Sequence, residues 1–210
     1  MKRTYQFSAV FDRAGDLHYR TAYHEAGHAA AIHLRNREQQ LPPVFFEIHI
    51  IPPQPDDGEL VAKVVDGYLI QNLHIAMLES FAALDGRNQP SCQLAYEADI
   101  INLLAGPLAE AKYLAFRDGR RFRMPLSALP RLLECGGMSD MERIQAYLEH
   151  FIACGSARET KLQCLLEQAF RFVDEEAHWR GISRLAEYIL RGGPRKIACE
   201  EAIDVLEGGS

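Results

Sequence analysis

One segment decides how this chain is organised: Thr21-Ala22-Tyr23-His24-Glu25-Ala26-Gly27-His28-Ala29-Ala30-Ala31, which contains the spacing His-Glu-x-x-His and is typical of a helix. Because a helix advances about 100° per residue, His24 and His28 can direct two imidazoles towards one point. Glu25 lies about 100° further round the axis, where it can reach a water on the metal without ligating it. The segment therefore predicts a zinc site with His24 and His28 as ligands and Glu25 as base. The alternative is a solvated helix with two incidental histidines.

A third ligand is predicted in the segment Gly136-Gly-Met-Ser-Asp-Met-Glu-Arg143. Ser139 is followed three residues later by Glu142, which is a capping box and predicts that a helix begins here. Asp140 then occupies the first helical position, where the helix dipole favours a carboxylate even without a metal. As a ligand it would complete a zinc site of two histidines and one carboxylate. The residues alone leave both interpretations open.

A further carboxylate, Glu110, lies in a helical pattern that runs from about Leu94 to Phe116. Gly106-Pro107 interrupts this pattern, and a proline inside a helix predicts that the helix is kinked or divided there. Three roles are open for Glu110: a rival third ligand, a carboxylate that orients a ligand histidine, or a partner in a salt bridge between helices.

The remaining pattern predicts a mainly α fold (α+β) with a small β-hairpin beside the metal helix. Strands are predicted at 44–51 and 59–65. They either cover one face of the helix or bind an extended peptide along the edge of strand 44–51. Helices are predicted at about 16–37, 68–85, 94–116, from Ser139 onwards, 157–176, 177–191 and, as a short piece, 199–207, with a strand-like piece at 5–11.

Composition narrows the class of protein. With 210 residues, 48% hydrophobic and 25% charged, the chain predicts one globular domain over 1–210, comprising a lead-in (1–15), a metal-site part (16–153) and C-terminal helices (154–210). A net charge of −6 argues against nucleic-acid binding. No apolar run approaches the roughly 20 residues of a membrane span. Five cysteines without a C-x-x-C pair, and the lack of a secretory signal, predict free thiols and a cytoplasmic location.

Three segments in the same order resemble the peptidase domain of the FtsH family of ATP-dependent zinc metalloproteases. Ala22-Tyr-His-Glu-Ala-Gly-His-Ala29 is close to the family's metal motif. Leu104-Ala-Gly-Pro-Leu-Ala-Glu110 resembles its Gly-Gly-Arg-x-Ala-Glu segment, and 136–143 resembles its Gly-Ala-x-x-Asp-hydrophobic-Glu-Arg segment. Ile48–Pro52 and the stretch from Trp179 to Ala186 are also similar to family segments, so the resemblance touches most of 17–206.

The resemblance implies a zinc metalloendopeptidase whose ligands are His24, His28 and Asp140 and whose base is Glu25. Insertions around 80–95 and 115–135 depart from the family, and the chain contains neither a G-x-x-x-x-G-K-[ST] phosphate loop nor a membrane helix. We therefore expect ATP-independent hydrolysis of unfolded or flexible polypeptides. Stably folded substrates should resist unless they open spontaneously. The expected partners are a polypeptide substrate and either a separate ATPase or further copies of this chain in a homo-oligomer.

Two alternatives remain at this point. One is a zinc-stabilised binding or regulatory module derived from such a protease, in which catalysis is secondary. The other is a zinc hydrolase that acts on a non-peptide amide, because a fold does not dictate its substrate. Glu25 favours an enzyme, since a structural zinc site has no use for a base beside a water.

Overall fold

The helix that carries the two histidines is the first element of the fold. The computed structural model describes residues 13–51, 61–70, 89–123, 138–191 and 196–209. Helix α1 spans Arg13–Ala30, continues as a π-helical turn over Ala31–Arg35 and ends in the short helix α2, Asn36–Glu38. The helix predicted at 16–37 is confirmed, and the π-helical turn is an addition that periodicity did not indicate.

A three-stranded antiparallel sheet lies beside α1. Strand β1, Phe46–Ile51, pairs with β2, Val61–Asp66, with Ile48 opposite Val64. A third strand, β3 (Lys196–Ile197), pairs with the other side of β1 at Ile48 and His49, so the strand order is β2-β1-β3. The predicted hairpin is confirmed and β3 was not predicted. The expectation that a peptide could pair along strand 44–51 is wrong, because β1 is the central strand. In the described residues, the edges without a strand partner belong to β2 and to the two-residue strand β3.

Helix α3 spans Gln89–Arg117 without division, although it contains Pro107. Of the two outcomes predicted for Gly106-Pro107, a kink or a division of the helix, division is therefore wrong. Proline costs one hydrogen bond inside a helix, but close packing can outweigh that cost. Such packing is present: a Cβ at Gly27 of α1 would lie 2.5 Å from the carbonyl oxygen of Ala105, so the two backbones approach closely. Small residues on α1 and α3 thus bring the metal-motif helix against the Gly-Pro segment.

Four further helices complete the described fold: α4 (Met138–Phe151), α5 (Gly155–Asp174), α6 (Glu176–Leu190) and α7 (Cys199–Glu207). They match the predicted helices to within about two residues, which is the ordinary uncertainty of a helix end. Helix α4 begins one residue before the predicted cap at Ser139, and Asp140 lies in its first turn. Helix α7 ends at Gly208, whose φ of 85° is the left-handed conformation that glycine adopts easily.

The helices and the sheet share one buried apolar cluster, which includes Ala26 and Ala30 of α1, Leu104 of α3, Ile182 of α6 and Ile48 of β1. The architecture is therefore mainly helical with a small antiparallel sheet, as predicted. In the described part of the chain, no helix is long and apolar enough to cross a membrane. Some predicted features lie wholly or mostly outside the described residues: the strand-like piece at 5–11, the helix at 68–85 and the two insertions.

Candidate metal centre

Three predicted ligands come together between α1 and α4. The Nε2 atom of His24 lies 3.1 Å from the Oδ2 atom of Asp140, although the two residues are 116 positions apart. The Nε2 atom of His28 lies 3.4 Å from the same oxygen. One nitrogen from each histidine and one carboxylate oxygen lie within 4.8 Å of one another, so these residues could hold a metal ion. Both histidines are buried and Asp140 is partly buried, so little solvent competes for these atoms.

The other nitrogen of each imidazole is hydrogen-bonded on the side away from Asp140. The Nδ1 atom of His28 lies 2.8 Å from the backbone carbonyl oxygen of Asn102. Because a carbonyl oxygen only accepts, Nδ1 must carry the proton and donate it, which leaves Nε2 directed at the centre. The Nδ1 atom of His24 lies 3.1 Å from Oε2 of Glu110, which fixes that ring in the same orientation.

Glu110 is held on its other side by Arg20. The Nε atom of Arg20 donates to Oε1 of Glu110 at 2.7 Å, so the carboxylate bridges Arg20 and His24. Although burial alone would raise the pKa of Glu110, the hydrogen bonds and charges of His24 and Arg20 lower it below its usual value. Of the three roles open for Glu110, the geometry matches a carboxylate that orients a histidine. It is not one of the three groups whose ligand atoms converge.

The ionisation states of His24, Asp140 and Glu110 depend on one another. Burial alone would lower the pKa of His24, but the hydrogen bonds to Asp140 and Glu110 outweigh burial and raise that pKa to about 10. Burial would likewise raise the pKa of Asp140, yet the charges and hydrogen bonds of the two histidines hold it far below its usual value. His24 therefore carries a proton between two carboxylates at neutral pH. A metal cation could replace that proton, since both are positive charges facing the same oxygens.

Glu25 faces the sheet rather than the ligand nitrogens. Its Oε2 atom accepts a hydrogen bond of 2.6 Å from the backbone N–H of Val64 in β2. Because the N–H of Val64 bonds to Glu25, it points away from β1. The outer edge of β2 therefore faces the candidate centre. A cavity of about 310 Å³ lies between these parts, and its lining includes Glu25, both histidines and Asp140.

Gly106 explains how α3 comes so close to the centre. A Cβ at this position would overlap the imidazole of His28, so only glycine leaves room for the ring. Two side chains of the cleft carried no role in the sequence analysis, namely Tyr68 and Arg143. Arg143 was part of the quoted segment 136–143, and the three-residue spacing from Asp140, which places both on one helix face, was the signal for it.

Asp99 is a third residue that the sequence analysis missed. It is fully buried and accepts hydrogen bonds from the N–H groups of Leu69 (2.8 Å) and Ile70 (3.0 Å) and from the hydroxyl of Tyr147 (2.8 Å). Burial raises the pKa of Asp99 although these donors oppose the rise. Asp99 therefore ties the segment after β2 to α4, which carries Asp140. A carboxylate within an apolar helical stripe was the available signal.

Comparison with models of known protein families and with curated proteins found no match for this chain.

Proposed function

We propose that the chain is a zinc-dependent metallopeptidase that hydrolyses peptide bonds in unfolded or flexible polypeptides. The observation that carries the proposal is the convergence of His24, His28 and Asp140 within 4.8 Å, with Glu25 in the same cavity. The resemblance of three segments to the FtsH peptidase domain supports the same activity. Glu25 favours hydrolysis over a structural role, because a purely structural metal site needs no base.

The donor set suits zinc. Zinc accepts imidazole nitrogen and carboxylate oxygen, and a catalytic zinc site has three protein ligands and one open position. The histidine orientations also suit it, since each Nδ1 is held by an oxygen of Glu110 or Asn102 and each Nε2 is left for the metal. Bound zinc would lower the pKa of its water to about 7 and polarise the scissile carbonyl.

The residues of the chain then have separate tasks. Glu25 takes the proton from the attacking water and passes it to the leaving amine nitrogen. Glu110 and the carbonyl of Asn102 hold the histidine rings in position throughout. In the structure Glu25 accepts from Val64 N–H, so we infer that Glu25 turns from the strand towards the water when a substrate binds. The N–H of Val64 is then available to a carbonyl of the substrate.

The outer edge of β2 is the surface that we assign to the substrate. Val64 directs its N–H away from β1, and Ala62, two residues earlier on the same strand, presents its backbone in the same direction. An extended peptide that adds to this edge would pass alongside Glu25, and addition to an edge requires a peptide free of its own structure. Unfolded chains and flexible tails therefore fit this cleft, and hydrolysis needs no nucleotide.

The test combines metal content with cleavage of unfolded casein. We expect about one zinc per chain in the wild type and casein cleavage without ATP. Glu25→Gln keeps the shape of the side chain but removes the base, so we expect cleavage to fall by at least about 100-fold while zinc is retained. A stably folded reporter should resist, because its cleavage follows its rare unfolding.

Three results would contradict the proposal. Equal casein cleavage by the wild type and Glu25→Gln would indicate a contaminating protease. Zinc bound by both proteins with cleavage by neither would favour a zinc-stabilised binding module instead. Cleavage of a small amide but not of casein would point to a hydrolase with a non-peptide substrate.

A further inference from the structure

Arg143 lies in the same cleft as the candidate centre but has no task in the mechanism above. It follows Asp140 by three residues on α4, so both side chains lie on one face of that helix. Arg143 and Tyr68 both line the 310 Å³ cavity together with Glu25 and the two histidines. The guanidinium is therefore close to the place where a scissile bond would lie.

The guanidinium is held in a defined orientation. Its central carbon lies 3.7 Å from the ring centroid of Tyr68, which is a close cation–π contact. The positive charge of Arg143 also acts on the Tyr147 hydroxyl, whose pKa it tends to lower, and that hydroxyl itself donates to Asp99. Tyr68 is fixed in turn, because Asp99 binds the N–H groups of the two residues that follow it. Arg143 is thus pre-organised rather than free to rotate in solvent.

The positive charge of Arg143 has no anionic partner at bonding distance. No carboxylate within residues 13–51, 61–70, 89–123, 138–191 and 196–209 forms an ion pair with it, and its Nε atom is buried without a hydrogen-bond partner. Asp99 is nearby, but its two oxygens already accept from three donors. Carboxylates pair with six other arginines of the described chain, namely Arg20, Arg37, Arg117, Arg120, Arg180 and Arg191. Arg35, Arg158 and Arg184 have no carboxylate partner either, but they donate to amide or backbone oxygens of the protein.

A planar guanidinium with unused donors is suited to one chemical group above others, a carboxylate that it can bind through two parallel N–H···O contacts. We propose that Arg143 binds a carboxylate of the peptide substrate close to the scissile bond, either an acidic side chain or the C-terminal carboxylate. This inference rests on the proposed peptidase function and states which peptide substrates the enzyme prefers. Arg143 would make the enzyme prefer acidic segments or chain ends, even though the chain itself has a net charge of −6.

The experiment compares matched peptides on the zinc-loaded full chain. Mass spectrometry of casein fragments first locates the cleaved bonds and supplies a peptide. One pair of variants of that peptide exchanges Glu for Gln within two residues of the bond, and a second pair ends in a free carboxylate or an amide. We expect the wild type to prefer the acid of one pair by about tenfold in kcat/KM. The pair that shows the preference identifies which carboxylate is bound.

Three protein variants assign the preference. Arg143→Gln should reduce the ratio of kcat/KM for the acidic peptide to kcat/KM for its neutral counterpart to about one. Arg143→Lys should leave an intermediate ratio, because the charge remains but the bidentate geometry is lost. Lys63→Gln is the control. Lys63 is the other cation among the described residues that line the cavity, and it lies exposed on β2, so its loss should leave the ratio unchanged. If Arg143→Gln does not fold, the Lys variant and the wild-type pairs decide the result.

A binding measurement tests this inference independently of the proposed peptidase activity. Zinc-loaded Glu25→Gln protein is titrated with the same fluorescent peptide pairs, which measures recognition without cleavage. If casein is not cleaved, the pairs are unstructured casein peptides that differ only by one Glu-to-Gln exchange or by a free or amidated C-terminus. An acid preference in binding that disappears in the double variant Glu25→Gln/Arg143→Gln supports the role of Arg143 even if the wild type cleaves nothing. Cleavage without any acid preference, or a preference that survives Arg143→Gln, overturns the role of Arg143 and leaves the peptidase proposal standing.

Discussion

Two of the buried charged clusters in the described residues differ in how the charge is used. In the first, Lys112 of α3 donates to the carbonyl oxygen of Val173 (2.9 Å) and to backbone and side-chain oxygens of Asp174 (3.1 and 3.3 Å). Its ammonium also lies 4.7 Å from the ring of Trp179. An ammonium has three N–H donors, so this cluster is complete. In the second, three ligand atoms of His24, His28 and Asp140 converge beside a cavity.

The difference teaches how to separate a structural buried charge from a functional one. Depth does not distinguish them, since Lys112 and the two histidines are all buried. What distinguishes them is whether the protein supplies every partner. The Lys112 cluster joins the end of α5 to α3, with each donor used internally. The histidine cluster directs its Nε2 atoms and a carboxylate oxygen at one point and holds their outer sides with Glu110 and Asn102. Only the second arrangement has a use for a ligand from outside.

The largest effect is expected from the histidines. His24→Ala or His28→Ala removes one of three proposed ligands, and we expect bound zinc to fall from about one per chain to none, with loss of cleavage. Lys112→Met is the matched control, because it changes a buried charge of the other cluster and should leave the zinc content intact. Metal analysis after dialysis measures both. Zinc retained at full stoichiometry in the His24→Ala/His28→Ala double variant would refute the site.

Loss of Asp140 and loss of Glu110 should weaken zinc binding to different extents. Asp140→Ala removes a proposed ligand, so we expect it to weaken zinc binding most and to abolish cleavage. Glu110→Ala removes only the group that orients His24, and we expect a loss of about 10- to 100-fold in affinity with metal still bound at excess zinc. Competition with a zinc chelator measures both affinities. A greater loss in Glu110→Ala than in Asp140→Ala would exchange the two roles.

Lys112→Met tests the other side of the comparison. The change leaves the carbonyl oxygens at the end of α5 without their donor, so we expect the free energy of unfolding to fall by about 1–3 kcal/mol. Lys161→Met is the control, since Lys161 pairs with Glu97 at a more exposed position and should cost less than about 1 kcal/mol. Denaturant unfolding of the metal-free proteins gives both values. Equal losses in the free energy of unfolding would mean that the complete set of partners around Lys112 stabilises the fold no more than a more exposed ion pair does.

The smallest effect is the dependence of zinc affinity on pH. The pKa of His24 is raised to about 10 in the metal-free structure, so at pH 7 this histidine is protonated and zinc must displace one proton. Affinity should therefore rise by about tenfold for each pH unit between 7 and 8. Calorimetry in buffers of different ionisation enthalpy should show about one proton released. An affinity independent of pH would mean that His24 is neutral before the metal binds.

Local features of the fold were predictable because they depend on residues close in sequence. A run of β-branched and aromatic residues predicted β1, since such side chains pack well on a pleated sheet. The 3.6-residue period predicted α4 to α6 in the same way. The long helix α3 was predicted to be kinked or divided, because the sequence shows Pro107 but not the helix that packs on Gly106. Strand β3 has only two residues, Lys196 and Ile197, which is too short for any periodic signal.

The sequence by itself determined that His24 and His28 share one face of a helix with Glu25 beside them, because helical geometry follows from a spacing of four residues. Only the tertiary structure decided which oxygens face the two rings. Glu110 and Asn102 lie on α3, which the close approach at Gly27 and Gly106 brings to the histidines. Asp140 lies on α4, a third helix that packs against the same site. The tertiary structure also decided that β2 presents the open edge to Glu25. The physical reason is that proximity across 74 to 116 residues depends on packing, which no local period encodes.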